Sequence, residues 1–448
     1  MIPDKVDGGN MTNKNIEERW ARTEWFRNAR FGMFIHWGLY SIPSRGEWVR
    51  SVEKMPKEDY RQFFEEFNPV EYRPKEWAAL AKKAGMKYAI LTAKHHDGFC
   101  LWDTKLTDYN AANTPAGRDL VREYVDAFRA EGIKVGLYFS IIDWHHDDFP
   151  HYEDWNHPMR ENKNCSNEKR DFNRYIEFMH GQVRELLTGY GRLDIMWFDF
   201  SYGEMAGSKW KAQELIDMVR SLQPDIIIDN RLEGSGEQSG TILTDNPSDF
   251  AGDFACPEQM IPPQGIVNKS GDSVPWEACL TLNCNWGYSA ADQHWKQADM
   301  VIRMLVECVS KNGNLLLNVG PDPKGRIPEA SIKILEEVGC WMEKNSRSIY
   351  GCGISEFPKP EWGRFTQNGK TLYAHIFEPQ AGAICLFNMD GKLKKTRLLS
   401  DGSEVRIPKK EWNLSEYKEH EFLYLKPGHG NNYPLPDKID TVVEISLK

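Results

Sequence analysis

From about Glu17 to about Tyr350 the chain alternates short apolar runs with amphipathic stretches, and this alternation narrows the fold more than any other feature. Seven runs stand out: Phe31–Trp37 (FGMFIHW), Tyr88–Ala93 (YAILTA), Val135–Ser140 (VGLYFS), Leu193–Phe198 (LDIMWF), Asp225–Asp229 (DIIID), Ala278–Leu282 (ACLTL) and Asn314–Val319 (NLLLNV). They are short and lack the in–out alternation of a half-solvated strand, so they read as parallel strands buried on both faces. Pro74–Ala84, Asp119–Glu131 and Asp171–Leu187 carry apolar residues at helical spacing, the first two stopping at Gly85 and Gly132. Repeated strand–helix–strand units are right-handed βαβ crossovers. A weaker run around Asp253–Pro257 brings the strands to eight, which predicts an α/β chain with a (β/α)8-like TIM barrel in place of an open doubly wound sheet. No GxGxxG or GxxxxGKS/T follows a strand, so a nucleotide site finds no support.

Beyond Tyr350 the texture changes. Stretches such as TLYAHIF and AICLFNM alternate, with Asn368-Gly369, Asp390-Gly391 and Asp401-Gly402 as turns between them. Residues 1–350 are therefore expected to form the barrel and residues 351–448 a small C-terminal antiparallel β-sandwich, joined at Gly351–Pro360. A chain of 448 residues suits two such units better than a single core.

Composition removes several partners. Lys and Arg total 56 against 66 Asp and Glu, a formal charge of −10, which argues against nucleic acid and against an anionic membrane surface. No run approaches the ~20 apolar residues of a membrane span, and the N-terminal MIPDKVDGGNMTNKNIEERW has no apolar leader. The chain as given is expected in the cytoplasm, or in the periplasm or outside the cell if a leader has been removed. Nine cysteines, an odd number without a CxxC and mostly in apolar surroundings, predict buried free thiols. Sixteen tryptophans are many for a chain of this kind. Some serve the core; others can offer flat faces to the C–H surface of a sugar.

A barrel's active site forms at the C-terminal ends of its strands. Read there in order, the chain supplies His36 with Glu47 and Trp48, then His95-His96-Asp97, then Tyr138 followed by Asp143, His145 and His146, then Trp197 and Asp199, then Asp229 and Arg231, then Glu258, and finally Glu277 and Trp286 on either side of the seventh run. Each has a plain alternative. His95 and His96 could hold a metal, although strand neighbours point to opposite sides, or they could be satisfied structural histidines. Asp199 could cap the next helix, Arg231 could pair with Asp229 or Asp199, Glu47 could be a solvated loop residue, and Asp97 could do no more than set the Gly98 turn. Together they suggest two carboxylates flanking a glycosidic bond: Asp199 kept ionised by Arg231 as nucleophile, and a loop Glu, its pKa raised by apolar walls, as acid.

The motifs FGMFIHWGLYSIPSRGEW, AKHHDGFCLWDTK, DIMWFDF, IIDNR, PWEACLTLNCNWGYS and NGNLLLNVGPDPKGRIP resemble the α-L-fucosidases of glycoside hydrolase family 29, over about Glu17 to Gly353. The resemblance implies a retaining, metal-independent enzyme without cofactor that removes terminal α-L-fucose from fucosylated glycans through a covalent fucosyl-enzyme intermediate. It places the nucleophile on Asp199 and the fucose pocket on His36, Glu47, Trp48, His95, His96, Trp197 and Arg231, with Tyr138 and Trp286 as less secure matches. Two glutamates compete for the acid/base: Glu258 on the loop after the weak sixth run is preferred to Glu277, which enters a strand, and Glu233 is a distant third. The WFDF and DNR surroundings are more like the broad-specificity members. A sugar-binding protein on an inactive scaffold and a metal-assisted hydrolase using His95, His96, His145 and His146 are the rival readings.

Overall fold

The computed structural model of the protein describes residues 10–151, 155–236, 240–410, 414–425, 432 and 434–448, with side chains from residue 16 onward. Residues 1–9, half of the stretch read above for a leader, lie outside them. Strands β1 (Phe31–Ile35), β2 (Tyr88–Lys94), β3 (Lys134–Ser140), β4 (Ile195–Asp199), β5 (Ile227–Ile228), β6 (Glu277–Thr281) and β7 (Asn314–Val319) form one parallel sheet in the order β5-β4-β3-β2-β1-β7-β6. The register sets Met33 of β1 level with Ala89 of β2 and Leu317 of β7. Helices Pro74–Lys83, Leu120–Ala130, Phe172–Gly189, Ala212–Leu222 and Ala298–Val309 connect the strands, and Glu329–Asn345 follows β7. Gly85 and Gly132 end the first two of these with φ of +88° and +73°, and Asp119 caps the second by accepting the Arg122 N–H at 2.8 Å.

Side-chain alternation sorts the strands' apolar residues into two clusters. Phe34, Tyr88, Ile90, Tyr138, Ile195, Trp197, Ile227, Cys279 and Leu316 gather on the inner face of the curled sheet. Their neighbours Met33, Ile35, Ala89, Leu91, Leu137, Met196, Phe198, Leu280 and Leu317 pack outward with the helices. Both faces are covered, which is why the runs are continuously apolar. From the preceding helix Glu24–Ala29, Phe26 enters the inner cluster, its ring 5.5 Å from Tyr88 and 4.7 Å from Phe254.

The weak run around Asp253–Pro257 forms no regular strand. Phe254 makes an isolated parallel bridge to Asp229, and Ala255 and Glu258 make bridges to Trp276 and Cys279. Two local features explain the loss of a ladder. Pro257 has no N–H to donate, and the Asp253 carboxylate occupies the Ile228 N–H at 2.9 Å. The turn into this segment depends on Gly252, at φ +80°, where a Cβ would lie 2.1 Å from the Asp229 carbonyl oxygen. The fifth run is also shorter than its sequence suggests, two residues in place of five.

Beyond residue 350, β8 (Gly363–Asn368), β9 (Thr371–Ile376), β11 (Leu393–Leu398) and β13 (Thr441–Leu447) build an antiparallel sheet in the order β11-β13-β9-β8, while β10 (Ile384–Leu386) pairs with β12 (Glu421–Leu423). Leu372, Ala374, Ile376, Val443 and Ile445 belong to a core between these sheets, whereas Tyr373 and Val442 belong to the large cluster of residues 31–352. All nine cysteines are free, but only five are buried: Cys165 and Cys385 are half-buried, and Cys284, after β6, and Cys340, in the helix Glu329–Asn345, are exposed. Among the described residues no helix is long and apolar enough to cross a membrane.

Candidate active site

The C-terminal ends of β1 to β4, with Arg231, Glu258 and Trp286, enclose a small cavity. Its wall contains His36, Trp48, His95, His96, Tyr138, Trp197, Asp199, Arg231, Glu258 and Trp286, together with Phe34, Phe200 and Cys279. Of the residues that the resemblance places in the catalytic pair and the fucose pocket, Glu47 alone stands behind this wall. It is buried, and its Oε2 accepts the Gly287 N–H at 2.7 Å, which fixes the backbone beside Trp286.

Arg231 organises the acidic groups. Its Nη1 donates to Asp199 Oδ1 at 3.0 Å and its Nη2 to Glu258 Oε2 at 2.8 Å, so the two prongs of one guanidinium hold the two carboxylates. Tyr138 donates its hydroxyl to Asp199 Oδ2 at 2.8 Å, and the Phe200 N–H reaches Oδ1 at 3.0 Å. The carboxylate is thus held by Arg231, Tyr138 and the adjacent amide, not by a helix it caps. Arg231 does not pair with Asp229, whose carboxylate accepts the Phe198 N–H.

The electrostatics reverse two expectations. Burial lifts the Asp199 carboxyl above its ordinary value, and the pull of Arg231 only partly offsets it, so Arg231 does not hold Asp199 low. Burial also pushes Glu258 up, but the charge and hydrogen bond of Arg231 outweigh it and leave the group below its ordinary value. The side chain of Glu258 is 40% exposed against 10% for Asp199, so water offsets its burial more completely.

The histidines form the polar side of the cavity. β2 ends at Lys94, so His95 and His96 lie beyond the strand, and both rings face the cavity with centroids 3.9 Å apart instead of pointing to opposite sides. His36 Nδ1 lies 2.7 Å from Asn318 Oδ1, and the Asn318 amide nitrogen donates to the Trp286 carbonyl at 2.7 Å, which fixes the amide orientation. His96 Nδ1 lies 2.7 Å from Ser140 Oγ, whose own proton goes to the Ile142 carbonyl at 2.9 Å. Both rings therefore carry hydrogen on Nδ1 and keep Nε2 as an acceptor. Burial holds all three rings neutral, with His36 pushed down to about 3. The buried Nδ1 of His95 has no hydrogen-bond partner among the described residues. His145 and His146 stand outside the wall: their N–H groups bond to Asp143 Oδ1, and the His145 ring stacks on Tyr109 at 3.6 Å.

Aromatic rings supply the rest. Tyr138 stacks on Trp197 at 5.3 Å, the Arg231 guanidinium lies 4.7 Å from the Trp197 ring centre, and Trp286 packs 5.0 Å from His36. Trp197 is held from beneath by Glu277, whose Oε1 accepts the indole N–H at 3.1 Å while its Oε2 accepts the Tyr88 hydroxyl at 2.7 Å. Glu277 is thus a wholly buried support and not part of the cavity wall. Glu233 is occupied elsewhere, by Thr241 and Ser248. Asp97 sets the Gly98 turn, accepting the Phe99 N–H, and also takes the Tyr60 hydroxyl. Phe200 and Cys279 were not singled out from the sequence; their signal is adjacency to the strand-end Asp199 and inward alternation along β6.

Such a cavity presents acceptors to sugar hydroxyls, rings to C–H faces, and two carboxylates of unequal exposure to a glycosidic bond. Comparison with known proteins agrees. The family model for α-L-fucosidase matches residues 7–347. The structure is similar to α-L-fucosidase isoenzyme 1 from Paenibacillus thiaminolyticus, at 57% identity and a TM-score of 0.92 over 96% of this chain and 100% of that one. It is also similar to a Bacteroides thetaiotaomicron family 29 α-L-fucosidase trapped as a covalent intermediate with 2-fluoro-fucosyl fluoride in a glutamate-to-glutamine mutant, at 27% identity and a TM-score of 0.79 over 96% of each chain. An α-L-fucosidase of Dictyostelium discoideum is 28% identical over 423 residues, 86% of this chain and 85% of its own. The chain belongs to the α-L-fucosidases of glycoside hydrolase family 29, retaining enzymes that release α-L-fucose from fucosylated glycans.

Proposed function

We infer that Asp199 is the nucleophile and Glu258 the acid/base of an exo-acting, metal-independent α-L-fucosidase. The observation that carries this reading is the Arg231 fork, with buried Asp199 on one prong and half-exposed Glu258 on the other. Asp199 attacks the anomeric carbon, the fucosyl–oxygen bond breaks as Glu258 gives its proton to the leaving oxygen, and an ester on Asp199 results. Water then attacks the same anomeric carbon as Glu258 takes its proton, the bond from that carbon to Asp199 breaks, and α-L-fucose is released with Asp199 again a carboxylate. Arg231 keeps Glu258 ionised in the resting enzyme, which is the state of a base. For the first step Glu258 must first take up a proton from solvent, as the leaving oxygen displaces Arg231 as its partner. His36 and His96 accept fucose hydroxyls at Nε2, while Phe34, Trp197 and Trp286 suit the C6 methyl and the ring's C–H face. The WFDF and DNR surroundings support broad specificity toward the aglycone.

In the same reading, residues 1–350 are the catalytic unit and 351–448 the β-sandwich, and the bridging segment 253–258 is the remaining stave of a (β/α)8-like barrel. The test is an aryl α-L-fucoside assay on wild type and on Asp199→Ala, with NMR of the first-formed sugar. Retention gives α-fucose first, and the variant loses several orders of magnitude of turnover with its fold intact. First-formed β-fucose, or more than a few per cent residual activity, overturns the assignment.

A further inference from the structure

The cavity uses three of the tryptophans, and one of the others is placed where a core residue would not be. Trp155, on the loop after β3, is 69% exposed, the most exposed Trp, Tyr or Phe among the described residues. Its ring lies flat on Tyr202, with centroids 5.1 Å apart and planes 11° from parallel. Tyr202 in turn meets Phe200 edge-on at 5.1 Å, and Phe200 belongs to the cavity wall, 4.3 Å from His96 and 5.4 Å from Trp48. An unbroken file of rings thus runs from the wall to the surface.

The inner end of the file is fixed by the backbone that carries Asp199. Phe200 adopts φ +83°, a conformation that costs a non-glycine residue energy and needs support. Its N–H and that of Ser201 both bond to Ser235 Oγ at 3.0 Å. Tyr202 and Met205 then exchange backbone hydrogen bonds of 2.9 and 3.0 Å, closing a tight turn. Tyr202 therefore stands on a pinned turn three residues from Asp199, and Trp155 extends its face into solvent. An indole left in water forgoes the stabilisation of burial. One held parallel to a second ring keeps a rigid, flat, apolar face with little rotamer freedom to lose on binding.

We propose that Trp155 and Tyr202 form a separate binding site for a pyranose of the leaving-group glycan, beyond the fucose itself. The ligand class is a neutral hexopyranose with an apolar C–H face, of the galactose or N-acetylglucosamine type, stacked on the outer face of Trp155. This rests on the α-L-fucosidase activity and adds to it a means of selecting oligosaccharides over small fucosides.

The experiment compares 2′-fucosyllactose with α-L-fucosyl fluoride, which carries no sugar on the leaving side, in wild type, Trp155→Ala and Trp155→Phe. The specificity-constant ratio of oligosaccharide to fluoride should fall about tenfold in Trp155→Ala, through KM and not kcat, and Trp155→Phe should recover most of it. Lactose alone, as a non-fucosylated probe, should quench indole fluorescence in wild type and not in Trp155→Ala. An unchanged ratio, or an equal loss on both substrates, overturns the stacking site while leaving the fucosidase reading intact. Failure of the wild type to hydrolyse the fluoride would instead overturn the fucosidase reading.

Discussion

Replacing Glu277 by Gln tests whether this carboxyl supports the pocket floor as a neutral group. Glu277 is fully buried between the Tyr88 hydroxyl and the Trp197 indole. Burial raises its pKa from 4.5 to about 7, with its two donors and Arg231 pulling the other way. The folded chain thus keeps a proton that the unfolded chain has released, so the cost of ionising Glu277 is absent below about pH 4.5, grows as pH rises toward 7, and is constant above it. At about 1.4 kcal/mol per pH unit the gap is worth about 3 kcal/mol. Glutamine cannot ionise, but it must turn an NH2 toward one of two donors, a mismatch of about 1 kcal/mol at every pH. Glu277→Gln should therefore be less stable than wild type near pH 5 and more stable by about 2 kcal/mol near pH 8. At ~2.1 cal/mol/K per residue, the difference in melting temperature should swing by about 3 °C between those values. Calorimetry of both proteins from pH 4.5 to 8.5 reads it directly. A pH-independent difference would refute the reasoning, since Glu277 would then hold the same charge folded and unfolded.

Glu258→Ala should cut hydrolysis of fucosyl-oligosaccharides about 10²–10⁴-fold while sparing an activated aryl fucoside, because a good leaving group departs without a proton; parallel rates on the two substrates, or that selectivity appearing at Glu277 instead, would reassign the acid. His36→Ala should lose about 1–3 kcal/mol of transition-state stabilisation, read from kcat/KM, because a sugar hydroxyl is left unpaired in a buried site; a change confined to thermal stability would make His36 structural. Gly252→Ala should lower the melting temperature markedly, since its Cβ would meet the Asp229 backbone and break the pairing of Asp253 with Ile228; an unchanged melt would show that the segment relaxes. Prolonged dialysis against EDTA should leave aryl-fucoside turnover at its starting rate, and a loss restored by added zinc would bring a metal back into the histidine cluster.

The strands were legible because burial on both faces leaves one signature, an unbroken apolar run, and Phe31, Tyr88 and Asn314 begin strands where such runs begin. The run at Asp253–Pro257 was faint for a physical reason: Pro257 and the Asp253 carboxylate take over positions that a regular ladder needs. Asp199, Arg231 and the histidines could be read from their places at strand ends. What one dimension hides is how far one cation reaches. That Arg231 serves both carboxylates, and so depresses Glu258 while burial lifts Asp199, depends on two loops meeting across the sheet. The same holds for Glu47, whose partner Gly287 is distant in sequence.

The alternation that divides the strands into two clusters has a consequence for how this protein can change. Tyr138 and Trp197 are at once wall of the sugar cavity and packing of the sheet's interior, while Trp155 and Tyr202 belong to neither core cluster. Mutational libraries aimed at the aromatic wall of the fucose end would often cost stability, whereas the surface position Trp155 can absorb substitution without disturbing the strands. Lineages of such an enzyme would then share the sugar they remove and differ in what they remove it from.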